Sequence, residues 1–122
     1  MLANKRVFGF LGTVATSGAP MVNPMWVGIE GGEVVFNSEV GRLKTRQIER
    51  DPRVSLALVD LDDPYGYVEL RGRVTRSVVG PEAEDGIDRL AKKYLDEDAY
   101  PWREPGKQRI KYWLDVESIA GE

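Results

Sequence analysis

The sequence predicts a mainly β fold of the α+β class: a small closed β-barrel of five or six mostly antiparallel strands with two helices. Three observations predict it. Short apolar and β-branched runs separated by turn residues fill the stretch 7–38. Several of these runs are apolar on both faces, as strands curled around a core are. Only the segments 41–51 and 81–95 depart from strand patterning toward a helical period. An α+β sandwich fits the same elements and stands as the alternative. A single domain over residues 1–122 is expected, long enough to bury a core without disulfide or metal staples.

Val7–Thr16 (VFGFLGTVAT) is the first strand, and Ser17-Gly18-Ala19-Pro20 supplies its turn. Met21–Ile29 is a second apolar run, closed by Glu30-Gly31-Gly32-Glu33, a hairpin signal. Glu33–Ser38 is the third strand, so these three describe an antiparallel meander. Gly41–Asp51 places Arg42, Arg46 and Arg50 at i, i+4, i+8 on one helical face, and Pro52 ends the segment. In Arg53–Leu61, Val54, Leu56 and Leu58 alternate with Ser55, Ala57 and Val59. After Asp62-Asp63-Pro64 a long strand runs from Tyr65 to about Val79, with Val68, Leu70, Gly72 and Val74 on one face. Tyr67, Glu69, Arg71 and Arg73 take the other, a pattern that suits a cross-strand charge ladder.

Pro81–Leu95 is the clearest helix. Pro81 suits a first turn, Glu82, Glu84 and Asp85 favour the positive N-terminal end, and Lys92 and Lys93 lie near the other. Ile87, Leu90, Ala91, Tyr94 and Leu95 form a stripe that must face a core. Asp96–Gly106, with Pro101 and Pro105, is a loop, and Lys107 to about Ile119 is the last strand.

Composition removes whole classes of chemistry. With no histidine and no cysteine there is no Ser-His-Asp or Cys-His catalysis, no thiolate nucleophile and no usual zinc site. Carboxylates are scattered and no EF-hand pattern occurs, so no metal is expected. A net charge of −3 argues against general nucleic-acid binding. No run approaches the roughly 18 apolar residues of a membrane span, and no signal-peptide pattern opens the chain, so a cytoplasmic location is expected.

Two stretches point to a ligand. Between Arg42 and Arg53, five cations stand against Glu49 and Asp51, a local +3 in an acidic chain. Following Asn37-Ser38 and beginning with Gly41, this segment offers a helix N-terminus, a hydroxyl and nearby cations to a phosphate. Its other reading is a solvated helix face, the usual meaning of a charge run. The second stretch is Asn23-Pro24-Met25-Trp26. It is either an edge strand whose proline blocks further pairing, or the wall of a site for a flat ligand.

Taken in order, N-P-M-W at 23–26, G-R-x-K-x-R-x-x-x-R-D-P-R-V-S-L at 41–56 and P-Y-x-Y-V-E-x-R-G-R-V at 64–74 carry a resemblance. I-D-x-L-A-x-x-Y-L at 87–95 and the Tyr100-Pro101 loop extend it over nearly the whole chain. The sequence resembles the pyridoxamine 5'-phosphate oxidase-like split β-barrel family, in its coenzyme F420 (deazaflavin)-dependent oxidoreductase branch. The resemblance implies a split barrel of about six strands and a homodimer with cofactor at the subunit interface. It places Ser38, Arg42 and Lys44 on the cofactor phosphate, with Asn37 and Arg46 close by. It runs Asn23, Pro24, Met25 and Trp26 along the deazaflavin ring. The implied activity is hydride transfer from reduced F420 to an unsaturated or conjugated small-molecule acceptor, chemistry that needs no histidine or cysteine. The same fold also serves FMN-binding oxidases and reductases and non-catalytic tetrapyrrole-binding modules. Gly66 and Gly86 stand where many relatives carry Arg and His, departures that bear on the substrate side.

Overall fold

The run 21–29 reads as one strand and folds as two. The computed structural model describes residues 7–121. In it β1 (Val7–Val14) and β2 (Pro20–Met25) form a hairpin, with Pro24 opposite Phe10 and Met25 opposite Gly9. β3 (Val27–Glu30) leaves that partner and pairs with β4 (Glu33–Glu39), Val27 opposite Phe36. Trp26 alone separates β2 from β3. The physical reason lies in what Trp26 and Val27 bond. The indole stacks on Tyr94 (ring centroids 5.3 Å apart, 6° between planes), and the Val27 N–H donates to the Tyr94 phenol at 3.0 Å. The meander of three strands is therefore two hairpins joined at a break.

The chain continues through α1 (Leu43–Arg50), β5 (Arg53–Asp60), β6 (Asp63–Val79), α2 (Pro81–Leu95) and β7 (Arg109–Gly121). The seven strands make one antiparallel sheet in the order β2-β1-β5-β6-β7-β4-β3. The count exceeds the expected six because 21–29 divides. β2 and β3 are thus the two outer edges of the sheet, yet one residue joins them. Two consecutive peptide links span at most about 7 Å, so the sheet must curl until its edges meet. The barrel is closed by the chain at Trp26, with its hydrogen-bond ladder open there, which is the sense in which it is split. Gly9 permits the approach: a Cβ there would lie 2.5 Å from Val27 Cγ2.

Strand alternation fills the interior. Leu11, Val27, Phe36, Leu56, Leu70, Tyr112 and Leu114 meet in the barrel core, and Ile48 of α1 joins them. The anticipated faces of β5 hold, with Val54, Leu56 and Leu58 buried. The helix around residue 45 is shorter than the segment 41–51, because Gly41 takes a positive φ of 92° and Arg42 is an extended N-cap. α2 keeps its expected bounds and covers the outer side of β4 and β7, so Val35, Lys111 and Trp113 are buried on the far side from the barrel core. Ile87, Leu90 and Ala91 are buried in that contact, whereas Leu95, the last helical residue, is exposed. The last strand starts at Arg109 and runs to Gly121, later at both ends than anticipated.

Among the described residues no helix covers the outer side of β1, β5 and the first half of β6, where Phe8, Phe10 and Tyr67 stay exposed. Their outer side carries Phe8 and Phe10, each 39% exposed, and the row Phe8, Val59, Tyr67 runs directly across the three strands. The Glu/Arg pattern of β6 is only partly a cross-strand ladder: Arg71 pairs with Glu69 of the same strand, while Arg73 reaches Glu117 of β7 at 3.4 Å. Tyr65 is 87% exposed.

Tyr94, half-buried, and Tyr112, buried, give opposite predictions for the same substitution. Tyr94→Phe strands the Val27 N–H at the seam and should cost about 1–3 kcal/mol, a fall of roughly 4–10 °C in melting temperature. The Tyr112 hydroxyl is buried without a hydrogen-bond partner among the described residues. Burial, with the Glu49 charge adding to it, pushes that phenol up to about 12. Tyr112→Phe should therefore raise the melting temperature by a few degrees, about 1 kcal/mol. Circular-dichroism melts of both variants check the pair, and equal effects would contradict the seam.

Candidate functional site

β4 ends in Asn37 and Ser38, and the turn through Gly41 delivers the chain to α1. At its N-cap Arg42 has φ −67° and ψ 155°; no side chain caps the helix and no acid stands in its first turn. Thr45 Oγ1 donates back to the Arg42 carbonyl at 2.6 Å, which holds the turn. The N-terminal end of α1 is thereby left positive and its two nearest cations, Arg42 and Lys44, point to one cavity.

That cavity measures about 250 Å³ and sits against the seam. Pro24, Met25 and Trp26 form one wall, and Phe8 flanks them. Ile87 and Leu90 of α2 lie beyond. Tyr100 and Trp102 close the outer side, packed on Trp26 at centroid distances of 6.2 and 6.3 Å. Their loop is fastened to α2: Asp88 accepts from the Tyr100 N–H at 2.9 Å and from Arg103 at 3.0 Å, and Arg103 also pairs with Glu84 at 3.3 Å. The opposite end holds Asn37, Ser38, Arg42, Lys44 and Arg109.

The cationic end is crowded. Burial pulls the Lys44 ammonium below the ordinary lysine range, and the charges of Arg42 and Arg109 add to it. Burial likewise lowers Arg109, although Tyr100, Glu39 and Glu84 oppose the shift and Arg42 assists it. Glu39 offsets part of the charge, pairing with Arg42 at 2.9 Å and lying 3.9 Å from Arg109. Beside them the Ser38 hydroxyl is buried and lacks a hydrogen-bond partner among the described residues. Three cations and an orphaned hydroxyl form an arrangement that an anion completes. An aromatic and apolar chamber beside it suits a flat ring carrying that anion.

Several of the residues expected at a ligand site from the sequence are brought together: Pro24, Met25, Trp26, Asn37, Ser38, Arg42 and Lys44 line this cavity. Asn37 works through a neighbour, since its side chain donates to the Ala83 carbonyl at 2.9 Å and accepts from Arg109 Nε at 2.8 Å. Asn23 lines an adjoining cavity with Arg42 and Lys44, facing inward on β2 where its neighbour Pro24 faces outward. Arg46 is exposed on α1 and lines neither cavity. Sequence reasoning missed Arg109, Tyr100 and Trp102. The aromatics stood in a Pro-flanked loop, a usable signal; nothing local set Arg109 apart from other strand-end charges. Among the described residues no cluster of three acidic side chains is placed to hold a metal, and no helix is long and apolar enough to cross a membrane.

Comparison with known proteins agrees with this architecture. The profile of the pyridoxamine 5'-phosphate oxidase family matches residues 2–119. A solved structure named F420 reductase superposes with a TM-score of 0.83 at 28% identity, over 98% of this chain and 93% of that one. A protein of unknown function from Agrobacterium tumefaciens superposes at 0.76 with 25% identity, over 98% of this chain and 52% of that one. A heme binding protein from Mycobacterium smegmatis gives 0.62 at 27% identity, over 96% of this chain and 48% of that one. The split barrel, the order of its strands and the profile match over nearly the full length agree: this chain belongs to the pyridoxamine 5'-phosphate oxidase family.

Proposed function

We propose that this protein is a coenzyme F420-dependent oxidoreductase that reduces an unsaturated or conjugated small-molecule acceptor, and that it works as a homodimer with the cofactor at the subunit interface. One observation carries the reading: a single cavity is aromatic at the Trp26 end and cationic at the Arg42–Lys44 end, with an unpartnered Ser38 hydroxyl beside the cations. The likeness to the structure named F420 reductase, over nearly all of both chains, supports the deazaflavin over FMN.

In this reading Arg42, Lys44 and Ser38 hold the cofactor phosphate. Arg109, positioned by Asn37, adds charge, and Pro24, Met25 and Trp26 line the ring. Bound in its reduced form, the deazaflavin supplies hydride chemistry, which suits a chain with no histidine or cysteine. The protein's own groups bind and orient ring and acceptor and keep the site dry, while the preset cations avoid reorganisation on binding. In this reading a second subunit completes the site. At about 250 Å³ it falls below the roughly 300–1,000 Å³ of ordinary ligand pockets. Phe8 belongs both to its wall and to the uncovered face of β1, β5 and β6, so a second copy seated on that face would extend and cover the cavity.

Titration of the purified protein with oxidised F420 and with FMN tests the assignment. Binding of F420 at about micromolar Kd is expected, weakened roughly 10–100-fold in Lys44→Ala by loss of a charge-assisted contact. Binding of FMN alone moves the protein to flavin chemistry, and binding of neither removes the proposal.

Lys44 also links function to stability. Its folded pKa lies below its unfolded value, so over the window just under 10.5 the unfolded chain holds more protons and stability rises with pH. At neutral pH the charged Lys44 therefore costs stability. Lys44→Met should melt higher than the wild type at pH 7, and this advantage should shrink toward pH 10.5. Melts at both pH values, with and without F420, read both effects.

The dimer is tested at Phe10, which lies on the uncovered face and outside the cavity lining. Light scattering should give about twice 13.7 kDa for the wild type. Phe10→Asp should shift it toward monomer and weaken F420 binding in parallel; a monomeric variant with full affinity would refute the intersubunit site.

A further inference from the structure

The uncovered face of β1, β5 and β6 is polarised along its strands. At one end it holds a cavity of about 480 Å³ whose rim carries Arg53, Arg71 and Arg73. Its floor is made by Gly12, Val54 and Gly72. A Cβ on Gly12 would lie 2.5 Å from Ser55 Oγ, and one on Gly72 would lie 1.9 Å from the Asp115 carbonyl oxygen, so the floor is held to glycine. Each arginine has one acid beside it: Asp51 at 2.6 Å from Arg53, Glu69 against Arg71, and Glu117 at 3.4 Å from Arg73. All three side chains are nevertheless more than half exposed, and each guanidinium has donors to spare.

At the other end of the same strands is the turn between β5 and β6. Leu61 is 55% exposed there, and Asp62 and Asp63 beside it are exposed as well. An apolar knob flanked by carboxylates complements a glycine floor rimmed by arginines. The two cannot meet within one chain, because Arg53 and Leu61 stand eight positions apart, about 27 Å of extended strand.

A second copy brings them together in one of two possible settings. When two copies of one face pack on each other, the two-fold axis lies in the plane between them. An axis along the strands would set the arginine ends against each other. An axis across the strands sets each arginine end on the partner's acidic end. Repulsion disfavours the first and attraction favours the second. The axis then passes midway between Arg53 and Leu61, at Ala57, where Phe10 is the opposite residue on β1 and is 39% exposed. The small Ala57 side chain lets the two sheets approach at that point.

We infer that in the homodimer Leu61 of the partner subunit enters the Gly12–Gly72 floor of this cavity, with the partner's Asp62 and Asp63 on Arg53 and Arg73. The contact occurs twice, about an axis that crosses the strands near Ala57. This rests on the homodimer of the reading above and deepens it by fixing which ends of the face meet.

Sedimentation of a dilution series, read as a dimer dissociation constant, tests the contact by exchanging its charges. Arg73→Glu and Asp62→Arg should each weaken the dimer about tenfold or more, and the double variant should return to within about threefold of wild type. Leu61→Ser should weaken it about fivefold or more. All three positions are exposed, so the fold should persist, and melting curves check each variant. If the wild type is dimeric and the single variants match it, or if the double variant fails to recover, this inference falls while the homodimer and the F420 assignment stand. If the wild type is monomeric, the homodimer itself falls.

Discussion

The phenol of Tyr94 occupies the place where a neighbouring strand would otherwise bond Val27. It accepts from the Val27 N–H at 3.0 Å and lies 2.7 Å from the Val7 carbonyl, to which it donates, so one side chain ties the start of β3 to the start of β1. Lys93 donates to the Val27 carbonyl at 2.7 Å and completes the satisfaction of that residue. A sheet edge has backbone groups that must be bonded or solvated. Here those of Val27 are bonded by the last turn of α2. The position of that helix, the curl of the sheet and the break at Trp26 are consequences of the same contact. Burial raises the Tyr94 phenol, with the hydrogen bond from Val27 opposing the shift, so it remains a neutral donor and acceptor.

Because the seam is where strand pairing stops, it is also where a ligand is able to approach the sheet. Pro24, Met25 and Trp26 lie on one side of the cavity at the seam, and α2, already drawn in by Tyr94, supplies Ile87 and Leu90. The turn after β4 sends Arg42 and Lys44 to the other end. Structure and binding thus share elements but divide residues: Tyr94 and Asn37 are engaged by the fold, whereas Ser38 and Lys44 remain in excess of what folding uses. The crowded cations and the unpartnered hydroxyl destabilise the folded chain slightly, as preorganised sites do. The Tyr112 hydroxyl shares with Ser38 the absence of a partner but lies within the barrel core.

Much of this was readable along the chain. Alternation identified β5 and β6, the stripe and terminal charges of α2 set its bounds, and the contrast of 42–53 marked the cations. The ordered motifs then joined these to N-P-M-W. The errors have one kind of cause. The stretch 21–29 is apolar throughout, and nothing in its period shows that its halves face different partners. Arg46 and Lys44 look alike in a charge run, yet the turn of α1 points one outward and the other inward. Arg109 lies 72 residues from the Asn37 side chain that orients it.

The sequence by itself determined the element types, the lack of histidine and cysteine, and which segment would be positive. Those depend on local period, on residue inventory and on neighbours a few positions away. Tertiary structure decided where the barrel opens, which cations converge and which cavity Asn23 faces. Each of these depends on a contact between distant segments, above all that of Tyr94 with Val27. Such a contact exists only after the curled sheet has brought its two edges within reach of one helix.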